Sequence, residues 1–163
     1  MRSTGEVMGI SERFSIAFAK SQLAAGVVLP KDGLIFVSVT RRHKEQIVSL
    51  GQRLVALGYQ LLATDGTARR LEAAGVPVQR VYKLAEGRPN LLDYLNDAKV
   101  KLVINTPSGK GARTDEGKIR AAAVQLGVPC ITTLSAAEAA VKAIEALREE
   151  PMTVQALQER FPV

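Results

Sequence analysis

Short apolar runs alternate with helical patterns along most of this chain, and that alternation constrains the fold more than any other feature. Residues 34–39 form a continuous apolar run, as expected of a strand covered on both faces. Residues 44–57 then place Ile47, Leu50, Leu54 and Leu57 on one helical face, with Gly58 as the stop. The pattern repeats: strand 59–63, helix 68–74 closed by Gly75, strand 76–81 with Pro77 weakening its start, and a helix capped by Asn90 and running to Asp97. Strand 100–104, a helix capped by Asp115 and ending near Gly127, and strand 128–132 follow. Ser135 is expected to cap the last long helix, with Glu138 completing a capping box, and that helix to end near Glu150, before Pro151. Five strands alternating with helices predict a three-layer α/β/α fold on an open, mostly parallel sheet with right-handed crossovers.

The first 31 residues read differently. They begin without a clear period, and a helix then opens near Ser11 with Phe14, Ala17, Phe18 and Leu23 at helical spacing. Residues 1–31 are therefore set apart from a domain spanning 32–150, and 151–163 from that domain as a tail containing a short amphipathic turn or helix.

The chain has 163 residues, enough for one domain with a real core, and 47% of them are hydrophobic. Aromatics are 4% with no Trp, so stacking platforms for single-stranded nucleic acid are not expected. The net charge of +6 is spread rather than blocked, which suits small anions better than a nucleic acid. Cys130 is the only cysteine and lies in an apolar run, so it reads as an inert core thiol. His43 is the only histidine; beside Arg41, Arg42 and Lys44 it reads as solvated, and no metal cluster is expected. No apolar run approaches the roughly 20 residues of a membrane span, so the chain is read as cytoplasmic, without membrane partners.

In parallel sheets, ligands bind at the carboxyl ends of the strands. The residues following the five strands there include Ser38, Thr40, Arg41 and Lys44; Thr64, Asp65, Gly66 and Thr67; Lys83 and Arg88; Asn105, Thr106, Ser108 and Lys110; and Thr132, Thr133 and Ser135. The turn Thr64 to Thr67 carries the sharpest signal. Gly66 is expected to turn the chain at positive φ, and a helix starting near Thr67 aims its positive end at the turn. Thr64 and Thr67 are expected to hold a phosphate, with lysines on neighbouring loops supplying charge. Each charge-assisted bond is worth roughly 1.5–3 kcal/mol. A carboxylate pointing into such a turn would repel phosphate, so Asp65 is expected to face away and hold the turn. The loop 105–110 lacks P-loop spacing and reads either as a flexible surface loop or as a contact to ribose or base. No nucleophile–histidine pair is present, so no catalytic residue is assigned.

Four stretches carry a resemblance: Ser38-Val39 with Lys44; Ala63-Thr64-Asp65-Gly66-Thr67-Ala68; Lys83 with Glu86-Gly87-Arg88-Pro89-Asn90; and Asn105-Thr106-Pro107-Ser108-Gly109. Together they resemble the C-terminal allosteric, methylglyoxal-synthase-like domain of carbamoyl phosphate synthetase large chains, over about residues 32–146. Residues 3–9 also resemble the segment preceding that domain. The resemblance implies a fragment of a larger ATP- and Mg2+-dependent ligase of pyrimidine and arginine biosynthesis, itself without a cofactor. It implies a domain that binds a nucleoside monophosphate, UMP or IMP, and couples it to the catalytic domains of the same chain. Through the parent it implies contact with a glutaminase small chain, and it implies a contribution to homo-oligomers. By residue, it implies phosphate binding by Lys44, Thr64, Gly66, Thr67 and Lys83, and ribose or base contacts from Ser38, Asn105, Thr106 and Ser108. Pro107 stands where related members often carry a threonine, which removes one hydroxyl. Two other readings stay open. One is a lyase acting on dihydroxyacetone phosphate, although the loop 108–115 has no histidine and Asp93 is out of register for the catalytic carboxylate. The other is an assembly module with a vestigial anion pocket.

Overall fold

The computed structural model describes residues 5–107 and 114–161. In chain order the elements are α1 (Phe14–Ala24), β1 (Leu34–Ser38), a 3-10 turn (Arg41–His43), α2 (Gln46–Ala56), β2 (Gln60–Thr64), α3 (Asp65–Ala73) and β3 (Gln79–Val81). They continue with α4 (Leu91–Asn96), β4 (Val100–Asn105), α5 (Asp115–Gln125), β5 (Cys130–Ile131), α6 (Leu134–Glu149) and α7 (Leu157–Arg160). The five strands form one sheet in the order β3-β2-β1-β4-β5, with every neighbouring pair parallel.

The period of two along β1 divides the core. Ile35 and Val37 face one way and pack with Ile47, Leu50 and Leu54 of α2, Ala68 and Leu71 of α3, and Ala137, Val141 and Ile144 of α6. Leu34 and Phe36 face the other way, against Leu91 and Leu95 of α4 and Ile119 and Ala123 of α5. The predicted three layers are therefore present. Burying one Leu or Ile side chain is worth roughly 1.5–3 kcal/mol, which is why both faces of the central strands are apolar.

Several element boundaries differ from the sequence reading. β3 begins only at Gln79, two residues beyond Pro77, and β5 is reduced to Cys130–Ile131 after Pro129; proline has no N–H for a ladder. α2 starts at Gln46 rather than Lys44, because the 3-10 turn occupies the approach. α3 starts at Asp65. Thr64 is its extended N-cap (φ −68°, ψ 151°), so the chain turns there, and Gly66 is helical rather than at positive φ. Thr114, not Asp115, caps α5: its hydroxyl accepts the Gly117 N–H at 3.2 Å. Thr133, not Ser135, caps α6 by accepting the Ala136 N–H at 3.2 Å. Glu138 makes no capping box; it accepts from Arg53 of α2 at 2.5 Å, while the same guanidinium forks onto Glu145 at 2.8 and 2.7 Å.

Asn90 caps α4 as expected, and the box is reciprocal: Leu92 N–H donates to its Oδ1 at 3.0 Å, and its own N–H donates to Asp93 at 2.8 Å. On α1 the buried residues are Ile16 and Ala19, whereas Phe14 and Leu23 are exposed. This helix lies against α6, and it buries Ile16 and Ala19 rather than Phe14 and Leu23 of the expected apolar spacing. Arg13 at its start pairs with Glu149 at 2.8 Å and Glu150 at 3.1 Å, at the end of α6.

Candidate functional site

Strand register brings the site together. Val37 pairs with Ala63, Ser38 with Asn105 and Thr64 with Val81. The residues after β1, β2, β3 and β4 thus emerge on one rim. They enclose a cavity of about 560 Å³ whose walls include Ser38, Lys44, Thr64, Gly66, Thr67, Lys83, Asn105 and Thr106. Each of these was singled out in the sequence. Ser108 lies outside the described residues. Phe36, Leu91 and Ile119 supply an apolar wall. Nothing in their sequence spacing marks them as residues of a cavity. Tyr82 and Leu84, which flank Lys83, and Arg41, Asp115 and Glu116 also line it.

One end of the cavity is built on the start of α3. Thr64 makes no side-chain capping bond, so the first N–H groups of this nine-residue helix are not capped by their own N-cap side chain. The Thr64 hydroxyl stands 3.3 Å from that of Ser38. Thr67 is buried, and its hydroxyl accepts the Val39 N–H at 3.3 Å, which pins the loop after β1 to α3. That hydroxyl keeps its own proton for a further acceptor. Lys44 reaches over the helix start, where a Cβ at Gly66 would come within 2.6 Å of Lys44 Nζ. Gly66 is thus required for the close approach of an ammonium, and not for a backbone angle.

Asp65 also lines the cavity, and its carboxylate is engaged by two arginines. Arg69, one turn along α3, donates to it at 3.0 Å, and Arg80 of β3 at 3.1 Å. Arg80 also pairs with Glu72, whose carboxyl it holds below the usual range. Asp65 therefore does not cap the turn. It sits in the first turn of α3, where negative charge suits the helix dipole, and its charge is matched by the guanidiniums. Lys83, which lines the cavity from the loop after β3, pairs with Glu86 at 3.1 Å.

The other end of the cavity is polar and incomplete. Asn105 is 2% exposed. Its Nδ2 donates to Glu116 O at 3.4 Å, while its Oδ1 has no hydrogen-bond partner among the described residues. A buried acceptor without a donor costs about 1–3 kcal/mol, and one on a cavity wall is satisfied when a ligand brings a donor. Thr106 is turned to structural use: its hydroxyl accepts the Thr40 N–H at 2.9 Å. His43 is not solvated as the sequence suggested. It is half-buried, with Nδ1 3.2 Å from the Thr40 hydroxyl and 3.3 Å from that of Thr106. The partner that draws it in, Thr106, is 63 residues away, so no local pattern reveals the contact. Cys130 is half-buried, and burial pushes its thiol up, away from the reactive thiolate. Among the described residues no group of His, Cys, Asp and Glu has the makings of a metal site, and no helix is long and apolar enough to cross a membrane.

A parallel sheet in the order 3-2-1-4-5, with a largely polar cavity at the start of the helix after β2, defines an open α/β domain with a pocket on the carboxyl rim of its sheet. The family model for the MGS-like domain matches residues 46–132, just over half of the chain, and the chain belongs to that family. It is 68% identical over 161 residues to a carbamoyl phosphate synthase large chain of Rhodopirellula baltica, covering 99% of this chain and 15% of that protein. It is 46% identical over 97% of its length to the carbamoyl phosphate synthase large chain of Acidobacterium capsulatum, covering 14% of it. A carbamoyl phosphate synthase large chain, C-terminal section, of Methanopyrus kandleri is 48% identical over 96% of this chain and 29% of that protein. The chain thus spans about one seventh of the first two relatives.

Proposed function

We propose that this chain is an effector-sensing domain of a carbamoyl phosphate synthase large chain, and that its cavity takes a nucleoside monophosphate such as UMP or IMP. The observation that carries the reading is the pairing of two features on one cavity. A helix start without a side-chain cap shares the cavity with Lys44 and Lys83, and a buried Asn105 Oδ1 without a donor lies at the end of β4, on the far side of β1 from β2. The first suits a phosphate, which needs donors from several directions and compensating charge. The second suits the hydroxyl or ring N–H donors of a nucleoside. Lys44, Thr64, Gly66, Thr67 and Lys83 would hold the phosphate, and Ser38, Asn105 and Thr106 would form the ribose and base end. Of the carboxylates that line the cavity, Asp65 is matched by Arg69 and Arg80. No histidine lines the cavity, so an acid–base pair for a lyase lacks support. Coupling to carbamoyl phosphate synthesis would act on the catalytic domains of the large chain, and such coupling is reciprocal between effector and substrate.

Calorimetric titration of the chain with UMP, IMP and inorganic phosphate tests the reading. Saturable binding of a nucleotide, abolished in Lys83→Ala, is the expected result. Failure of all three to bind at millimolar concentration would reject it.

A further inference from the structure

We infer that Glu86 sets the affinity of the cavity for phosphate by acting as an internal counter-anion on Lys83. The inference rests on the phosphate reading of the cavity. Lys83 lines the cavity and Glu86 does not, yet both oxygens of Glu86 are committed to Lys83. Oε1 stands 3.1 Å from Lys83 Nζ, and Oε2 accepts the Lys83 backbone N–H at 3.1 Å. The turn between them is closed, since Glu86 N–H donates to Lys83 O at 3.0 Å. The loop is pinned at its base, where Tyr82 N–H donates to Pro89 O at 3.4 Å and Asn90 Nδ2 donates to Gly87 O at 2.9 Å. The loop thus presents a carboxylate already seated on one of the two ammoniums that line the cavity among the described residues.

Lys44 differs. No carboxylate stands within ion-pair distance of it among the described residues, and its Nζ lies over Gly66 at the helix start. One lysine is therefore poised and the other is occupied. A phosphate arriving at the start of α3 must draw Lys83 Nζ away from Glu86 or share it. Both members of the pair are about half exposed, and exposed pairs of this kind are weak and screened by salt. Bonds from an ammonium to a phosphate dianion are stronger, so the exchange is feasible. Glu86 lowers the affinity without abolishing it.

The test is calorimetric titration of inorganic phosphate into the 163-residue chain in four forms: unsubstituted, Glu86→Gln, Lys83→Ala and the double variant. Glutamine keeps a side-chain oxygen for the Lys83 N–H, so the turn survives while the charge is removed. Glu86→Gln is expected to bind phosphate about two- to five-fold more tightly at low ionic strength. The gain is expected to fade at about 0.5 M salt and to vanish in the Lys83→Ala background. Unchanged or weaker binding in Glu86→Gln, with binding by the unsubstituted chain intact, overturns the inference alone. So does a gain that persists without Lys83, which would make Glu86 a general repulsive charge. If neither the unsubstituted chain nor Glu86→Gln binds phosphate, the phosphate reading itself fails.

Discussion

Gly66 shows how one residue can serve a site through what it lacks. It is helical, so alanine would suit its backbone and gain up to about 1 kcal/mol of helix propensity. The added Cβ would meet Lys44 Nζ at 2.6 Å, and the flexible lysine would move aside. Gly66→Ala is therefore expected to leave the melting temperature unchanged or raise it, while weakening phosphate binding about tenfold. Paired melting and calorimetry on the same variant separate the two effects, and a lowered melting temperature with unchanged affinity would contradict this account. Asn105 works the other way, through an atom left over. Its Oδ1 has no partner among the described residues, so Asn105→Leu is expected to keep or improve the stability of the free protein and to weaken nucleotide more than inorganic phosphate. Titration with UMP and phosphate side by side checks that difference.

At the scale of elements, the contact between α2 and α6 is both apolar and ionic. Leu54 and Val141 belong to one buried cluster, and Arg53 of α2 forks onto Glu138 and Glu145 of α6. Arg53 is the first cause that holds the Glu145 carboxyl below its usual range. A carboxyl that titrates lower when folded stabilises the fold fully above its unfolded value, about pH 4.3. That contribution disappears as pH falls through the folded value. Since the pair is partly solvated, about 0.5–1 kcal/mol is expected. The urea midpoint should drop between pH 6 and about pH 3, and Arg53→Gln should lower the midpoint at pH 6 while flattening the drop. The α4 cap is a simpler case. Asn90→Ala removes a bond to Leu92 N–H and another to Gly87 O, and is expected to cost about 1–2 kcal/mol in denaturant unfolding.

For the molecule as a whole, binding at the sheet rim links the halves of the fold. The cavity walls come from β1, β2, α3 and β4, from the loop after β3, and from the start of α5, so a ligand joins helices from both layers. Ligand that binds only the folded state adds about 2.7 kcal/mol at a hundredfold excess over Kd. For a chain of this size that corresponds to a rise of roughly 5–10 °C in melting temperature. UMP or phosphate is expected to produce such a shift in the unsubstituted chain and none in Lys83→Ala. Because a phosphate engages charge at a half-open cavity, the shift should also shrink as salt is raised.

The alternation of apolar runs with helical periods was sufficient by itself to establish an α/β fold on a parallel sheet. It also placed Thr64, Thr67, Lys44 and Asn105 on a common rim. Both depend on spacing within a few residues, and strand direction in a parallel sheet carries the rest. Element edges were less legible, because Thr64, Thr114 and Thr133 compete for capping with equally suitable neighbours. Only tertiary structure decided the strand order and the partner of each long polar side chain. Glu138 could have completed a capping box, yet it lies nearer a guanidinium brought by α2. Asp65 could have held a turn, yet Arg80 arrives from the edge strand to meet it. His43 could have been solvated, yet Thr106 stands beside it. The reach of a charged side chain exceeds the distance over which sequence spacing has meaning, so its partner is whichever group the packing of other elements delivers.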